Sequence, residues 1–171
     1  LVGSEMCIRD RLVEIIGKLR REIPDIALRT TLITGFPTET QQDFEQLYEF
    51  VDEMEFDRLG VFTYSPEENT PAAQMDGQID EDVKAVRRDE IMQLQQEVSI
   101  DIANDMIGKI VDCIIEGKIE DDDVYVGRSY KDAPNVDGYV FINSKENLMS
   151  GDMVKVHIEH AKEYDLIGSI V

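Results

Sequence analysis

A chain of 171 residues has room for one medium domain or two small ones. Its 37 acidic against 17 basic residues give a formal net charge of −20, the reverse of the basic surface with which proteins hold nucleic acid. Such a field repels RNA and attracts basic partners, although an acidic surface also serves solubility alone. Cys7 and Cys113 lie far apart and make neither a disulfide framework nor a zinc motif. No apolar run approaches the roughly 18–20 residues that span a bilayer, and Glu5 and Asp10 argue against a signal peptide. A cytoplasmic protein is expected.

Leu12, Ile15, Ile16 and Leu19 recur at helical spacing and predict a helix over about residues 10–22, ended by Pro24. The β-branched run 26–34 predicts a buried strand, punctuated by Gly35-Phe36-Pro37. Thr40 with Asp43 has the spacing of a capping box, and Phe44, Leu47, Tyr48, Val51 and Met54 predict a helix over 41–54. Residues 58–64 read as a second strand. Alternating helix and strand with short connections implies βα units and a parallel sheet. Two strands neither close a barrel nor cover both faces of a sheet, so this half is expected to be truncated.

A proline-bearing loop over 65–78 precedes a long charged helix over 80–106, whose expected apolar face runs through Val83, Val86, Glu90, Leu94 and Val98. Beyond Ile107 the texture changes to short segments at 109–115, 124–128, 139–143, 153–159 and 165–171, separated by Gly, Asp, Asn and Pro. Five strands at that spacing predict a small antiparallel barrel or sandwich. Both sides of the change are acidic: 10 basic and 23 acidic residues over 1–103, and 7 and 14 over 104–171. His157 and His160 fall on a strand, where their spacing places them on opposite faces and disfavours a shared metal. Glu120–Asp123 reads as an acidic turn between strands.

The segment Leu28–Thr40, with Gly35-Phe-Pro-Thr-Glu39, resembles the strand-turn-helix "GFPGE" motif of radical-SAM methylthiotransferases, with Thr38 in place of the second glycine. Residues 57–73 resemble that family's next strand and loop, with Asn69 where a glycine is usual. Asn tolerates the left-handed conformation that a glycine there would supply. The run Ile107-Gly-Lys, Glu116-Gly, Gly127-Arg-Ser, Asp132-Ala-Pro, Asp137-Gly and Gly151-Asp follows the order of a TRAM domain. Together with Glu163-Tyr-Asp-Leu166 it is similar to the RimO type, which modifies an aspartate of ribosomal protein S twelve. The MiaB-like enzymes that modify tRNA usually lack these features.

The resemblance covers about residues 12–171 and implies the C-terminal portion of a TIM-like partial barrel over 12–103 and an OB-like TRAM barrel over 104–171. Residues 1–11 match nothing in the family and read as non-native or divergent. It implies S-adenosylmethionine and two [4Fe–4S] clusters as cofactors, with Arg29, Thr31, Gly35, Val61 and Tyr64 beside the S-adenosylmethionine pocket. Arg128, Asp132 and Asp137 either contact the substrate or fix loops. The implied partner is the basic S twelve protein or the small ribosomal subunit. The CxxxCxxC motif that binds the catalytic cluster is absent, so no metal ligand is assigned and the chain alone is expected to be inactive. A tRNA-modifying relative and a non-catalytic module for a basic protein are the alternatives.

Overall fold

A computed structural model describes residues 2–120 and 122–171, with the side chains of 2–7 outside the description. Cys7 and Asp121 of the acidic turn therefore lie outside the described side chains. The chain divides into two compact units, residues 1–95 and 96–171.

The first unit begins with α1 (Val2–Glu22). Leu12 and Ile15, expected in its buried stripe, are each 44% exposed, while Ile16 and Leu19 are half-buried. Strand β1 (Arg29–Thr34) leads to α2 (Gln41–Met54) and β2 (Arg58–Thr63). The N-terminus of α2 is the capping box its sequence announces. The Asp43 backbone N–H donates to the Thr40 hydroxyl, and the Asp43 carboxylate accepts the Thr40 N–H at 2.8 Å. The Thr40 hydrogen bonds hold the Asp43 carboxyl below the usual carboxylate range. Strands β1 and β2 pair in parallel, with Arg29 beside Arg58, Thr31 beside Gly60 and Ile33 beside Phe62.

Helix α3 (Glu81–Asn104) has the expected extent but not the expected face. Val83 and Val86 are 41% and 56% exposed, and Glu90 also faces solvent. The buried stripe instead begins with two cations, Lys84 and Arg87, and continues through Ile91, Leu94 and Val98. An apolar-period search assigns such residues to solvent. Here each cation is neutralised locally: Lys84 donates to the Glu81 carboxylate and the Tyr64 carbonyl, and Arg87 pairs with Glu39.

The second unit is a closed barrel of β3 (Ile110–Lys118), β4 (Val124–Ser129), β5 (Val140–Asn143), β6 (Met153–Ala161) and β7 (Leu166–Ile170). The order around the barrel is β3-β4-β5-β7-β6, and β6 pairs with β3 to close it. The ladders are antiparallel except β5–β7, which is parallel, so the expectation of a wholly antiparallel barrel fails at that one pair. Alternate residues point inward and build one core: Cys113, Ile115, Tyr125, Val140, Ile142, Val156 and Ile158 are essentially inaccessible. Ala103 and Met106 extend that core. Closure leaves the barrel no free edge to aggregate.

The register of β6 slips between Ile158 and His160, which inserts Glu159 as an extra residue. Ile158 is buried and Ala161 packs against the core, so His157, Glu159 and His160 all lie on the outer wall. The bulge thus places the two histidines on one face, not on opposite faces. Among the described residues no group of three His, Cys, Asp or Glu is placed to hold a metal. Nor is any helix there long and apolar enough to cross a membrane.

Candidate functional site: an open sheet face and a braced turn

A parallel pair presents the same face at matched residues. Arg29, Thr31 and Ile33 of β1 therefore share one face with Arg58, Gly60 and Phe62 of β2. That face is open. Ile33 is 56% and Phe62 64% exposed, and a Cβ on Gly60 would meet no atom within 4 Å. The opposite face carries Leu32, Thr34, Leu59 and Val61 and is partly or fully buried. Parallel sheets are ordinarily covered on both sides, so two large apolar side chains in solvent mark this face as one built to be covered.

Of the five residues expected at an S-adenosylmethionine pocket, the structure sets Gly35 and Tyr64 together, while Arg29 opens β1 at the far end of the strand from them. Arg29 and Thr31 lie on the open face, and Gly35 and Tyr64 sit side by side just past the C-terminal ends of the strands, where the Tyr64 N–H donates to the Thr34 carbonyl at 2.8 Å. Val61 is expected to contribute its backbone. It pairs with Leu32, its side chain is buried on the other face, and only its backbone borders the open one. Ligands of parallel α/β sheets bind at the carboxyl ends of strands. Here that end carries Phe36 edge-on to Tyr64, with ring centroids 5.2 Å apart. The Tyr64 hydroxyl is buried and has no hydrogen-bond partner among the described residues. A buried orphan phenol is costly and fits a site that a polar ligand atom completes. A groove of about 440 Å³ along Leu32, Phe36, Leu47 and Phe50 lies on the helix side and is distinct from this face.

The turn after β1 is braced from α3. Gly35 has φ of +76°, and both Glu39 carboxylate oxygens accept its N–H, at 3.0 and 3.1 Å. Glu39 is in turn paired with Arg87, and the side chains are 11% and 9% exposed. The Lys84 stem fills the space a Gly35 side chain would need. Neither Glu39, Lys84 nor Arg87 was among the residues singled out from sequence. The signal available was the acidic residue closing Gly35-Phe-Pro-Thr-Glu39. Thr38, in the place of a glycine, has φ of +74°, a strained conformation for a β-branched residue, and Asn69 has φ of +65° at the other substituted glycine. Thr38→Gly is expected to stabilise the first unit by about 1 kcal/mol, the αL strain relieved less the added chain entropy. Urea unfolding followed by far-UV circular dichroism measures it, and a loss of stability would contradict the strain.

In the barrel, Arg128 pairs with Glu116 at 2.8 Å across β3 and β4. The Asp132 carboxylate accepts from the Ser129 hydroxyl at 2.6 Å and from its N–H at 3.2 Å, and the Asp137 carboxylate accepts the Ala133 N–H at 2.6 Å. The two carboxylates thus hold the backbone of the loop after β4, and Arg128 ties β4 to β3.

Residues 107–171 match the TRAM domain family. A protein named ribosomal protein uS12 methylthiotransferase RimO from Lachnoclostridium phytofermentans is 56% identical over 160 residues, covering 94% of this chain and 36% of its own length. Proteins of the same name from Clostridium botulinum strain Langeland and Pelotomaculum thermopropionicum are 49% and 47% identical, each covering 95% of this chain and 36% and 37% of their own lengths. Along nearly its whole length the chain is similar to proteins of the RimO name. It spans about a third of the length of these curated relatives.

An iron–sulfur cluster does not fit the residues described in this chain. Cluster ligation needs several thiolates close together. Cys113 stands alone inside the barrel core, and burial, with Asp132 and Asp112 adding to it, pushes its thiol up to about 12. A proton held that tightly makes the thiol inert to metal and alkylating reagents. The folded value lies above the unfolded value of 9.0, so the thiol's contribution to stability is complete below pH 9 and is lost as pH rises through about 12. Between pH 8 and pH 11 the urea midpoint is expected to fall further in this chain than in Cys113→Ala. Equal falls in both would contradict the assignment.

Proposed function

We propose that this chain is the part of a RimO-type methylthiotransferase that supplies one wall of the radical-SAM site and the TRAM barrel, and that the whole enzyme adds a methylthio group to an aspartate of ribosomal protein uS12. The observation that carries the reading is identity of 47–56% to proteins of that printed name along at least 94% of the chain. The open face of the β1–β2 sheet supports it, because the residues outside this chain, about two thirds of the relatives' length, would supply strands to cover it. Within this reading residues 12–103 are the end of the radical-SAM half and residues 104–171 the TRAM domain. The protein works in the cytoplasm on a ribosomal substrate.

S-adenosylmethionine, held with iron–sulfur clusters whose ligands lie elsewhere in the enzyme, supplies the radical and methyl chemistry. This chain's residues position it. The Gly35 backbone allows close approach, the Tyr64 hydroxyl donates to a polar ligand atom, and Thr31, Arg29 and the backbone at Val61 border the same wall. Arg128, Asp132 and Asp137 serve the substrate through the barrel surface they shape. The chain alone is expected to be inactive, because its sequence carries no CxxxCxxC motif. Its acidity favours a basic ribosomal protein over tRNA, since both have to meet a barrel with twice as many acidic as basic residues.

Sequencing the DNA upstream of the Leu12 codon tests the reading. A frame that continues into CxxxCxxC is expected. A start codon there with no cysteine motif overturns the catalytic reading in favour of a protein-binding module.

A further inference from the structure

The loop over residues 130–139 is unusually well fixed for a surface segment. Asp132 holds Ser129, Asp137 holds the Ala133 N–H, and Asp165 accepts the Tyr139 N–H at 2.8 Å from the neighbouring loop. The Leu166 N–H donates to the Tyr139 carbonyl at 2.9 Å. A Cβ on Gly138 would overlap the Tyr164 carbonyl, so the two loops meet backbone to backbone with no room for a side chain. Three carboxylates are thus turned toward backbone N–H groups. What this end of the barrel displays outward is apolar and aromatic: Tyr130 is 55% exposed, Val136 69%, Tyr139 37% and Tyr164 45%.

Rigid loops that display tyrosines lose little entropy on binding, and aromatic anchors dominate interface energies. We propose that Tyr130, Val136, Tyr139 and Tyr164 form the docking surface of the barrel for an Arg- and Lys-bearing protein segment. The proposal rests on the reading that the substrate is a basic ribosomal protein and names where it sits. Charge selects the class of partner. The barrel unit is acidic overall, and within residues 128–139 and 159–165 Asp132, Asp137, Glu159, Glu163 and Asp165 outnumber Arg128, Lys131 and Lys162. An arginine stacks on a tyrosine face while the surrounding carboxylates attract its charge, and the aliphatic stems of such side chains cover Val136. Stacked RNA bases would use the same rings, but their phosphates would meet that negative field.

The test uses the full chain and purified uS12 of Lachnoclostridium phytofermentans, with affinity read by calorimetry and folding by circular dichroism. The triple variant Tyr130→Ala/Val136→Ser/Tyr164→Ala is expected to weaken binding about 30-fold or more. The variant Tyr130→Phe/Tyr139→Phe/Tyr164→Phe, which keeps the rings, is expected to bind within about twofold of the parent chain, because stacking survives. If the triple variant unfolds, the singles Val136→Ser and Tyr164→Ala carry the test and are each expected to weaken binding severalfold. Unchanged affinity in folded variants overturns this surface and leaves uS12 as the substrate. Failure of the parent chain to bind uS12 overturns the substrate reading and this surface with it. A single-stranded oligoribonucleotide that binds more tightly than uS12 and is lost in the triple variant overturns the protein partner.

Discussion

Glu39→Ala is expected to destabilise the first unit by about 3–5 kcal/mol, the usual cost of stranding one member of a buried ion pair. The Arg87 guanidinium, 9% exposed, would keep its charge without its carboxylate, and the Gly35 N–H would lose both its acceptor oxygens. Glu39→Gln keeps an acceptor for that N–H and should cost less. Arg87→Met paired with Glu39→Met should cost less than the two single changes summed, because no buried charge is then left alone. Urea unfolding of the parent chain, Arg87→Met, Glu39→Met and the double variant completes the cycle. A loss below about 1 kcal/mol for Glu39→Ala would mean that water reaches Arg87 and that the turn is not braced from α3.

The same pair shows why half of this architecture was legible and half was not. Helix α2 was legible to the residue because its apolar period and its Thr40–Asp43 cap are both local. Helix α3 was legible in length but not in orientation. Period searches sort residues by polarity, and Lys84 and Arg87 are polar residues buried by contacts with the Tyr64 carbonyl and Glu39, 20 and 48 positions away, although the carboxylate that pairs with Lys84 is the nearby Glu81. The barrel strands were visible in their alternation. The parallel β5–β7 pair and the bulge that turns His160 outward depend on which strands meet, which no local pattern encodes. At the site, the resemblance located both strand ends, and the left-handed Asn69 followed from the glycine it replaces. The side that Val61 faces follows from its pairing with Leu32 and not from its own neighbours in sequence. Asp132 and Asp137 have the composition of turn formers and of substrate ligands alike, and the N–H groups they reach are set by the fold of the loop.

Gly35→Ala is expected to cost about 2–4 kcal/mol through two separable effects. The first is local: φ of +76° places any Cβ against its own backbone, worth about 1–2 kcal/mol. The second is tertiary: the new methyl would overlap the Lys84 stem, whose Nζ is tied to the Tyr64 carbonyl at 3.0 Å and cannot move aside without releasing it. Lys84→Ala removes the obstruction but leaves a cavity and an unsatisfied Tyr64 carbonyl. Adding Gly35→Ala to Lys84→Ala should then cost only the local part, about 1–2 kcal/mol. The difference between the two backgrounds measures how firmly α3 holds the strand ends. If Gly35→Ala costs the same in both, Lys84 does not restrain the turn, and bracing from α3 rests on Arg87 and Glu39 alone. If it costs less in the Lys84→Ala background, the close approach of α3 to the strand end explains why glycine is needed there, over and above the backbone conformation. The turn after β1 would then take its shape from the helix behind it, and substitutions on α3 that never touch the open face would still alter the geometry at its edge.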